Sequence, residues 1–417
     1  MITVTRVITA PAMGGFFYDD QKAIRSGVDR DGFVYRGDPQ TPGFENIRIP
    51  GAALGIGFML SDGTTAWGDA VSVQYSGTAG RDPLFDPVII EELVRQVIAP
   101  RIVGRAAPDL IGNTEAVMAY VDGARLPIAV EYGVSQALLR AAAIARNLTM
   151  AEVICADFGL TLPCLPIPLF AQSGDDRYLN VDKMILKSVD ILPHGLINSR
   201  EKFGRAGEVF LEYARWVAAR TQEIGRPGYR PVLHFDFYGW IGIEIGQEPS
   251  DIARYIARIA EAVPGFELNV ECPADYGSLD AQLDAYADIV EQVDQLCPSV
   301  RIVADEYCNT LSDVERFCDA RAAHIIQIKT PDVGNLLDTV RAIRYAKSAD
   351  IGAYSGGSCA ETDLSARACV HVAVASAASM MLAKPGMGVD EGIAIVGNEQ
   401  SRLLATIRSR QQSELAE

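Results

Sequence analysis

The chain has 417 residues, of which 49% are hydrophobic and 22% are charged, and its formal net charge is −17. This length suits two globular domains. The acidic balance argues against nucleic acid and against an anionic membrane as partners, because both attract basic protein surfaces. A small anionic substrate stays compatible with it, since such a ligand meets only the local charge of its site. We expect no membrane-spanning segment and no signal peptide, and therefore a cytoplasmic location.

Residues 1–160 predict a small domain that mixes strands and helices. Asp62 and Gly63 suit a tight hairpin turn between two apolar runs, because glycine tolerates a positive φ. Asp86 and Pro87 suit the start of a helix, as N-cap and first helical residue. The predicted elements are strands at 52–60 and 64–70, a helix that begins at 87 and a second helix over about 133–147.

The second predicted domain, 161–417, alternates short apolar runs with amphipathic helices. Eight strands with helical crossovers indicate an α/β fold with a parallel sheet, and their number favours a closed barrel. A doubly wound open sheet is the alternative. The predicted strands are 164–170, 183–189, 230–237, 266–272, 300–306, 324–329, 351–356 and 379–384. The predicted helices lie near 206–224, 251–263 (with Ser250 as N-cap), 279–296, 312–319, 335–347 and 362–378.

Three of these strands end in a carboxylate: Asp236, Glu271 and Asp305 lie at the ends of successive apolar runs. Lys329 ends the next run along the chain. Because successive barrel strands end at one mouth, we expect these four side chains to converge. Buried carboxylates repel one another, and a divalent cation removes that conflict. Ligands that are all oxygen favour a hard ion, above all Mg²⁺.

A lysine at the end of a buried strand suggests a chemical role. Burial and a nearby metal ion both disfavour the ammonium form, so we expect Lys329 to have a depressed pKa and to act as a base. A substrate carboxylate held by the metal would make the neighbouring C–H more acidic. The alternative interpretations stay open: an acid at a strand end is commonly a turn residue or N-cap, and a lone lysine is commonly a surface residue.

His194 follows the second predicted strand and would face Lys329 across the barrel mouth. We consider it as an acid or base on the opposite face of the substrate. From the sequence alone, a loop histidine on the surface is the favoured alternative. His234 and His324 lie inside apolar runs and are expected to be satisfied core histidines.

Four further residues near the strand ends suit substrate recognition. Gln172 follows the first strand, and Gln327 shares a strand face with Lys329 because the two are two residues apart. An amide at a barrel mouth suits a carboxylate or an amine, although either glutamine could instead cap backbone groups. Ser358 and Cys359 follow two glycines, which allow the backbone to approach an anion closely.

The chain also resembles the methylaspartate ammonia-lyases, a family of the enolase superfamily. The resemblance rests on long, non-generic stretches that occur in the expected order nearly from end to end. These stretches are GGFFYDDQ, VQYSGTAGRDPLF, FAQSGDDRYLNVDKMI, LPHGLIN, VADEYCNT, QIKTPDVG, GAYSGGSC and LAKPGMGVDEG.

The resemblance implies an enolase-type modified TIM barrel with an N-terminal α+β capping domain. It implies that Asp236, Glu271 and Asp305 bind Mg²⁺. It further implies that Lys329 takes the C3 proton of L-threo-3-methylaspartate in a reversible elimination of ammonia that gives mesaconate, with His194 on the opposite face. A monovalent cation such as K⁺ and a homodimer are also implied. The implied substrate contacts are Gln172, Gln327, Ser358, Cys359 and, from the capping domain, Gln74.

The chain departs from the family at two positions. Ser358 stands where threonine is common, and Cys272 stands where glycine is common, next to a metal ligand. Three other functions stay open. Another enolase-type reaction, racemisation or cycloisomerisation, is disfavoured because Pro193-His194 lies where those relatives often carry Lys-x-Lys. A metal-free aldolase with a Schiff base on Lys329 is the second, and a non-enzymatic binding protein is the third.

Overall fold

The structure, a computed structural model, describes residues 1–75, 81–121, 123–387 and 389–414. Its N-terminal part contains a three-stranded antiparallel sheet, a small hairpin and six α-helices in the described residues. The strands are β1 (Val4–Asp19), β2 (Asp29–Asp31), β3 (Val34–Arg36), β4 (Arg48–Leu60) and β5 (Thr65–Val71). The helices are α1 (Gln21–Arg25), α2 (Pro87–Leu93), α3 (Ala99–Ile102), α4 (Leu110–Val117), α5 (Ile128–Arg146) and α6 (Met150–Phe158), with a π-helical turn at Val94–Ile98.

The three-stranded sheet has the order β1-β4-β5. The hairpin between β4 and β5 is confirmed, and Gly63 has the positive φ of 90° that the turn requires. Asp86 is the N-cap of α2, as predicted. Strand β1 was not predicted, because Pro11 and the pair Gly14-Gly15 are typical of turns. An edge strand tolerates such residues, since one side of it needs no ladder hydrogen bonds.

Helix α5 packs on this sheet and forms the centre of the N-terminal part. It is long and apolar enough to cross a membrane, but most of its side chains are buried within the fold, as in a core helix. The helix approaches β5 closely at Gly68 and Gly133. A Cβ atom at either glycine would overlap with the backbone of the other element.

The second part is a closed barrel of eight parallel strands in consecutive order, so the open-sheet alternative is excluded. The barrel strands are β6 (Leu169–Phe170), β7 (Ile191–His194), β8 (Val232–Asp236), β9 (Leu268–Glu271), β10 (Val300–Ala304), β11 (Ile325–Ile328), β12 (Gly352–Ser355) and β13 (Met380–Leu382). The helices are α7 (Arg177–Leu186), α8 (Arg200–Phe203), α9 (Glu208–Ile224), α10 (Trp240–Glu244), α11 (Pro249–Ala262), α12 (Leu279–Leu296), α13 (Leu311–Asp319), α14 (Thr330–Val333), α15 (Leu336–Ser348), α16 (Asp363–Ser376) and α17 (Glu391–Glu414).

Two details of the predicted barrel are wrong. The run 183–189 belongs largely to α7 and not to a strand, and the second barrel strand is β7. Val181, Met184 and Ile185 are buried at helical spacing, a pattern that a dense apolar run conceals. Helix α11 begins one residue before Ser250, with Pro249 in its first turn and Glu248 as its N-cap.

Candidate active site

The C-terminal ends of the barrel strands surround a cavity of about 630 Å³. Strands β8 and β9 are hydrogen-bonded neighbours, and their register pairs Asp236 with Glu271. Glu271 is fully buried beneath the cavity. The other predicted site residues all line the cavity: Gln74, Gln172, His194, Asp236, Asp305, Gln327, Lys329, Ser358 and Cys359.

The buried acids form a cluster with a strong electrostatic conflict. In the part of the chain that the structure describes, ligand atoms of His194, Asp236 and Glu271 all lie within 4.8 Å of one another. Burial raises the pKa of Glu271 well above its usual value, and the charges of Asp236 and Asp305 raise it further. A divalent cation relieves such a conflict, so the donor set fits a hard metal ion. The cluster includes His194, which the sequence did not suggest as a ligand.

Asp305, the third predicted ligand, pairs with Lys329 at 2.9 Å between Oδ1 and Nζ. Burial lowers the pKa of Lys329, but the negative charges around it, Asp305 first and then Asp332 and Glu306, together raise the pKa above its usual value. This direction is opposite to the depressed pKa expected from the sequence. The ion pair is the reason, since it stabilises the ammonium form.

His194 is buried at the end of β7, so the surface-loop alternative is wrong. Its Nε2 lies 3.2 Å from Oδ2 of Asp236, and its backbone has a positive φ of 67°. Such a φ is strained for a residue with a side chain and is often found at functional sites. Among the described residues, its Nδ1 has no hydrogen-bond partner although it is buried.

Two side chains fix the carboxylate of Glu271. Nε2 of His234 lies 2.5 Å from Oε2, and the amide of Gln327 donates to Oε1. The His234 ring is fully buried and stacks on Phe170 at 4.2 Å, as expected for a satisfied core histidine. Its contact with a candidate metal ligand was missed. The signal was its position two residues before Asp236, which puts both side chains on one face of the strand.

The N-terminal part of the chain contributes one wall of the cavity, and Gln74 lies in that wall. The Gln74 backbone N–H donates to Oγ of Ser358 at 3.3 Å, and Sγ of Cys359 donates to the Gln74 amide oxygen at 3.3 Å. Burial raises the pKa of Cys359 to about 12, so the thiol keeps its proton and serves as a donor. The Gln74 amide nitrogen donates to Asp19, which in turn forms a buried ion pair with Arg48. No local sequence pattern predicted Asp19 or Arg48.

Charged residues beside Lys329 were also missed. Arg81 lines the cavity, and its guanidinium donates to both carboxylate oxygens of Asp332 at 2.9 to 3.1 Å. Burial raises the pKa of Glu306 to about 7, with a further rise from Asp305. No role had been predicted for Arg81, Glu306 or Asp332 from the sequence.

Both departures from the family pattern lie at the cavity. Cys272 lines it with a positive φ of 47°, a conformation that favours glycine. Ser358 keeps the hydroxyl of the usual threonine, and this hydroxyl accepts the backbone N–H of Gln74 and of Ala360.

Comparisons with known families match nearly the whole chain. The model of the methylaspartate ammonia-lyase N-terminus matches residues 2–159, and the model of the C-terminus matches residues 161–409. Methylaspartate ammonia-lyase 1 of Carboxydothermus hydrogenoformans is 46% identical over 407 residues, 96% of each chain. Methylaspartate ammonia-lyase of Citrobacter amalonaticus is 43% identical over 412 residues, 98% of this chain and 99% of the relative.

Solved structures agree with the sequence matches. A magnesium complex of beta-methylaspartase from Clostridium tetanomorphum has a TM-score of 0.94 at 42% identity, over 98% of this chain and 100% of that one. The Citrobacter amalonaticus enzyme containing (2S,3S)-3-methylaspartic acid has a TM-score of 0.95 at 43% identity, over 97% and 100%.

A more distant structure supports the fold alone. Muconate cycloisomerase from Pseudomonas fluorescens has a TM-score of 0.58 at 15% identity, over 89% of this chain and 84% of that one. The enolase-type modified TIM barrel with an N-terminal cap is thereby confirmed. From the family models and the near-complete coverage of these relatives, the chain belongs to the methylaspartate ammonia-lyase family of carbon–nitrogen lyases.

Proposed function

We propose that the chain catalyses the reversible, Mg²⁺-dependent elimination of ammonia from L-threo-3-methylaspartate to give mesaconate. One observation carries this proposal: buried carboxylates converge beside a lysine amine in one cavity. The family membership supports the reaction, and the Citrobacter amalonaticus structure with (2S,3S)-3-methylaspartic acid supports the substrate.

We assign Asp236, Glu271 and Asp305 as the residues that hold Mg²⁺. The raised pKa of Glu271 supports this assignment, because the charges around it need a cation, and the related magnesium complex agrees with the choice of ion. When bound, the ion supplies positive charge that stabilises negative charge developing on a substrate carboxylate. A ligand role for Asp305 would also weaken its hold on the Lys329 proton, which a base at Lys329 requires.

In the proposed reaction, Nζ of Lys329 takes the C3 proton. The electron pair of that C–H bond forms the C2=C3 double bond, and ammonia leaves from C2 with the electrons of the C–N bond. His194 orients or protonates the substrate from the opposite face and serves as the base for the other C3 epimer. His194 is buried and the Lys329 side chain is only 17% exposed, which supports these roles because a largely dry site strengthens electrostatic interactions.

We propose that the remaining cavity residues orient the substrate. Ser358 and Cys359 offer a hydroxyl and a thiol, and Gln74, Gln172 and Gln327 offer amides; all five line the cavity that holds Lys329. A few polar groups that converge in one pocket are enough to fix the orientation of a small ligand.

Four further points rest chiefly on family resemblance. We propose K⁺ as a second cofactor, a homodimer, a cytoplasmic location, and a division of the chain into a capping domain (1–160) and a barrel domain (161–417). The two family models meet at residues 159 and 161, which supports the division.

The proposed function is tested by ultraviolet absorbance of an unsaturated diacid, with 3-methylaspartate, Mg²⁺ and K⁺ in the assay. We expect the absorbance to rise and ammonia to appear in equal amount. Epimerised or cyclised substrate without ammonia would instead support racemisation or cycloisomerisation. Covalent trapping of Lys329 by borohydride with a carbonyl substrate would support the aldolase.

A further inference from the structure

A buried ion pair lies outside the proposed metal site and is unused by the mechanism above. Nζ of Lys384 lies 2.8 Å from Oε1 of Glu361, and the two side chains are 2% and 0% exposed. Lys384 follows β13 and Glu361 ends the loop after β12, so the pair joins the segments that follow two neighbouring barrel strands. Burying two charges is costly, and such pairs are seldom kept for stability alone.

The ammonium of Lys384 uses all three of its donors on fixed partners. Besides Glu361, it donates to Oγ1 of Thr330 at 2.9 Å and to the carbonyl oxygen of Gly356 at 2.9 Å. Thr330 directly follows the proposed base, Lys329. One side chain therefore ties the base-bearing end of β11 to the loop after β12.

The carboxylate of Glu361 is equally satisfied. Its Oε1 also accepts the backbone N–H of Ser358 at 3.0 Å. Its Oε2 accepts the hydroxyl of Tyr132 at 2.5 Å and that of Ser365 at 3.0 Å. Tyr132 lies in α5, so the N-terminal part of the chain braces the same carboxylate.

The loop from Gly356 to Glu361 lies directly on this pair. A Cβ atom at Gly357 would overlap with both Nζ of Lys384 and Oε1 of Glu361. The backbone N–H of Gly15 donates to the Glu361 carbonyl oxygen at 2.7 Å on the other side. The loop is thus held between the ion pair and β1, with little freedom to move Ser358.

We propose that Lys384 and Glu361 form a positioning pair that fixes the loop carrying Ser358 and Cys359 relative to Lys329. The pair touches no reacting atom; it sets the distance across the cavity between the base and the substrate-binding loop. This inference rests on the proposed function and extends it to two residues that neither the sequence nor the mechanism had used.

The test compares Lys384→Met with the double variant Lys384→Met/Glu361→Gln. The single variant leaves a buried carboxylate unpaired, so we expect both Tm and kcat/KM to fall. The double variant removes both charges at similar volume, so Tm should recover relative to the single variant. In the double variant, Gly356 and Thr330 still lack the hydrogen bonds that Nζ of Lys384 donates in the parent. We therefore expect kcat/KM to stay about 10- to 100-fold below that of the parent, through a raised KM and a lowered kcat.

A matched control is the ion pair of Arg146 and Asp157, which joins α5 to α6 and does not line the cavity. Arg146→Met/Asp157→Asn should change Tm and leave kcat and KM near the parent values. Mg²⁺ affinity, measured by isothermal titration calorimetry, should be unchanged in all variants, because neither pair touches the proposed ligands.

Recovery of Tm in the double variant together with kcat and KM within twofold of the parent would overturn the proposal. If that variant does not fold, Thr330→Val decides: loss of one hydrogen bond to Lys384 should lower kcat/KM about threefold to tenfold, and an unchanged value would overturn it. A parent without turnover would contradict the proposed function alone. In that case the positioning pair is tested by amide hydrogen exchange of the segment 356–361. Exchange should be faster in Lys384→Met/Glu361→Gln than in the parent, and an unchanged exchange rate would overturn the proposal.

Discussion

At the residue scale, the Lys329–Asp305 contact decides whether the site can abstract a proton. Nearby carboxylates together raise the pKa of Lys329 against the effect of burial, and the first of them, Asp305, is also a proposed metal ligand. A single acid thus links the proton on the lysine to the occupancy of the metal site. The ion pair with Asp305 favours the ammonium form of Lys329, whereas a metal ion bound to Asp305 would weaken that pair and lower the pKa of the lysine.

Replacing Lys329 by alanine should abolish most turnover of the (2S,3S) substrate. A general base contributes about 10²- to 10⁴-fold to a rate, so kcat should fall by that factor, measured by mesaconate absorbance. Lys187→Ala is a suitable control, because Lys187 pairs with Asp390 away from the cavity. Turnover by Lys329→Ala at the parent rate would remove the lysine from the mechanism.

The Cys272 side chain should limit the size of the substrate that the cavity accepts. Its positive φ suits glycine, and its buried thiol lines the cavity. In Cys272→Gly, kcat/KM for 3-ethylaspartate relative to 3-methylaspartate should rise by about tenfold, the usual value of one methylene in a pocket. An unchanged ratio in competition assays would show that Cys272 does not set the size limit.

At the element scale, the close contact of α5 with β5 explains how a long apolar helix serves as a core element. Gly133 has no room for a methyl group against the backbone of Ala70, whereas Gly397 in α17 has ordinary van der Waals space next to Leu169. The two glycines thus differ in surroundings although both lie inside helices.

Gly133→Ala should therefore destabilise the fold by about 1–3 kcal/mol through overpacking. Gly397→Ala should be neutral or stabilise it by up to about 1 kcal/mol, since alanine favours the helical backbone. Urea unfolding measures both free energies. Equal effects of the two substitutions would contradict the close packing of α5 on the sheet.

The contact between α16 and α17 should make stability depend on pH in the acid range. Hydrogen bonding from His371, and then from Arg367, lowers the pKa of Glu399 from 4.5 to about 2. Because the folded state has the lower pKa, the stabilisation is fully present above pH 4.5 and is lost as pH falls towards 2. The difference in unfolding free energy between the parent and Glu399→Gln should shrink as pH falls over that window. A difference that does not change with pH would contradict the lowered pKa of Glu399.

At the scale of the whole molecule, the sequence predicted what depends on local periodicity and on strand ends. The barrel follows from alternating apolar runs and helices, and the convergence of Asp236, Asp305 and Lys329 follows from barrel geometry. The strand β1 was missed because its proline and glycines resemble a turn, and β7 was misplaced because a dense apolar run preceded it. Such errors arise where tertiary packing overrides the local pattern.

The supporting residues of the site could not be predicted in this way. Arg48, Glu361 and Lys384 reach the site from strands and loops far apart in the chain, and each is an ordinary charged residue in its local context. Their roles appear only when the fold brings their partners within hydrogen-bond distance. The resemblance to a known family supplied the substrate and the metal, but not these contacts.

The most direct test of the account is a crystal structure of the chain with Mg²⁺ and 3-methylaspartate. We predict one ion bound by Asp236, Glu271 and Asp305 at about 2.0–2.1 Å, with Nζ of Lys329 released from Asp305 and about 3–3.5 Å from C3 of the substrate. An ion bound elsewhere, or a Lys329 amine turned away from C3, would contradict the proposed chemistry.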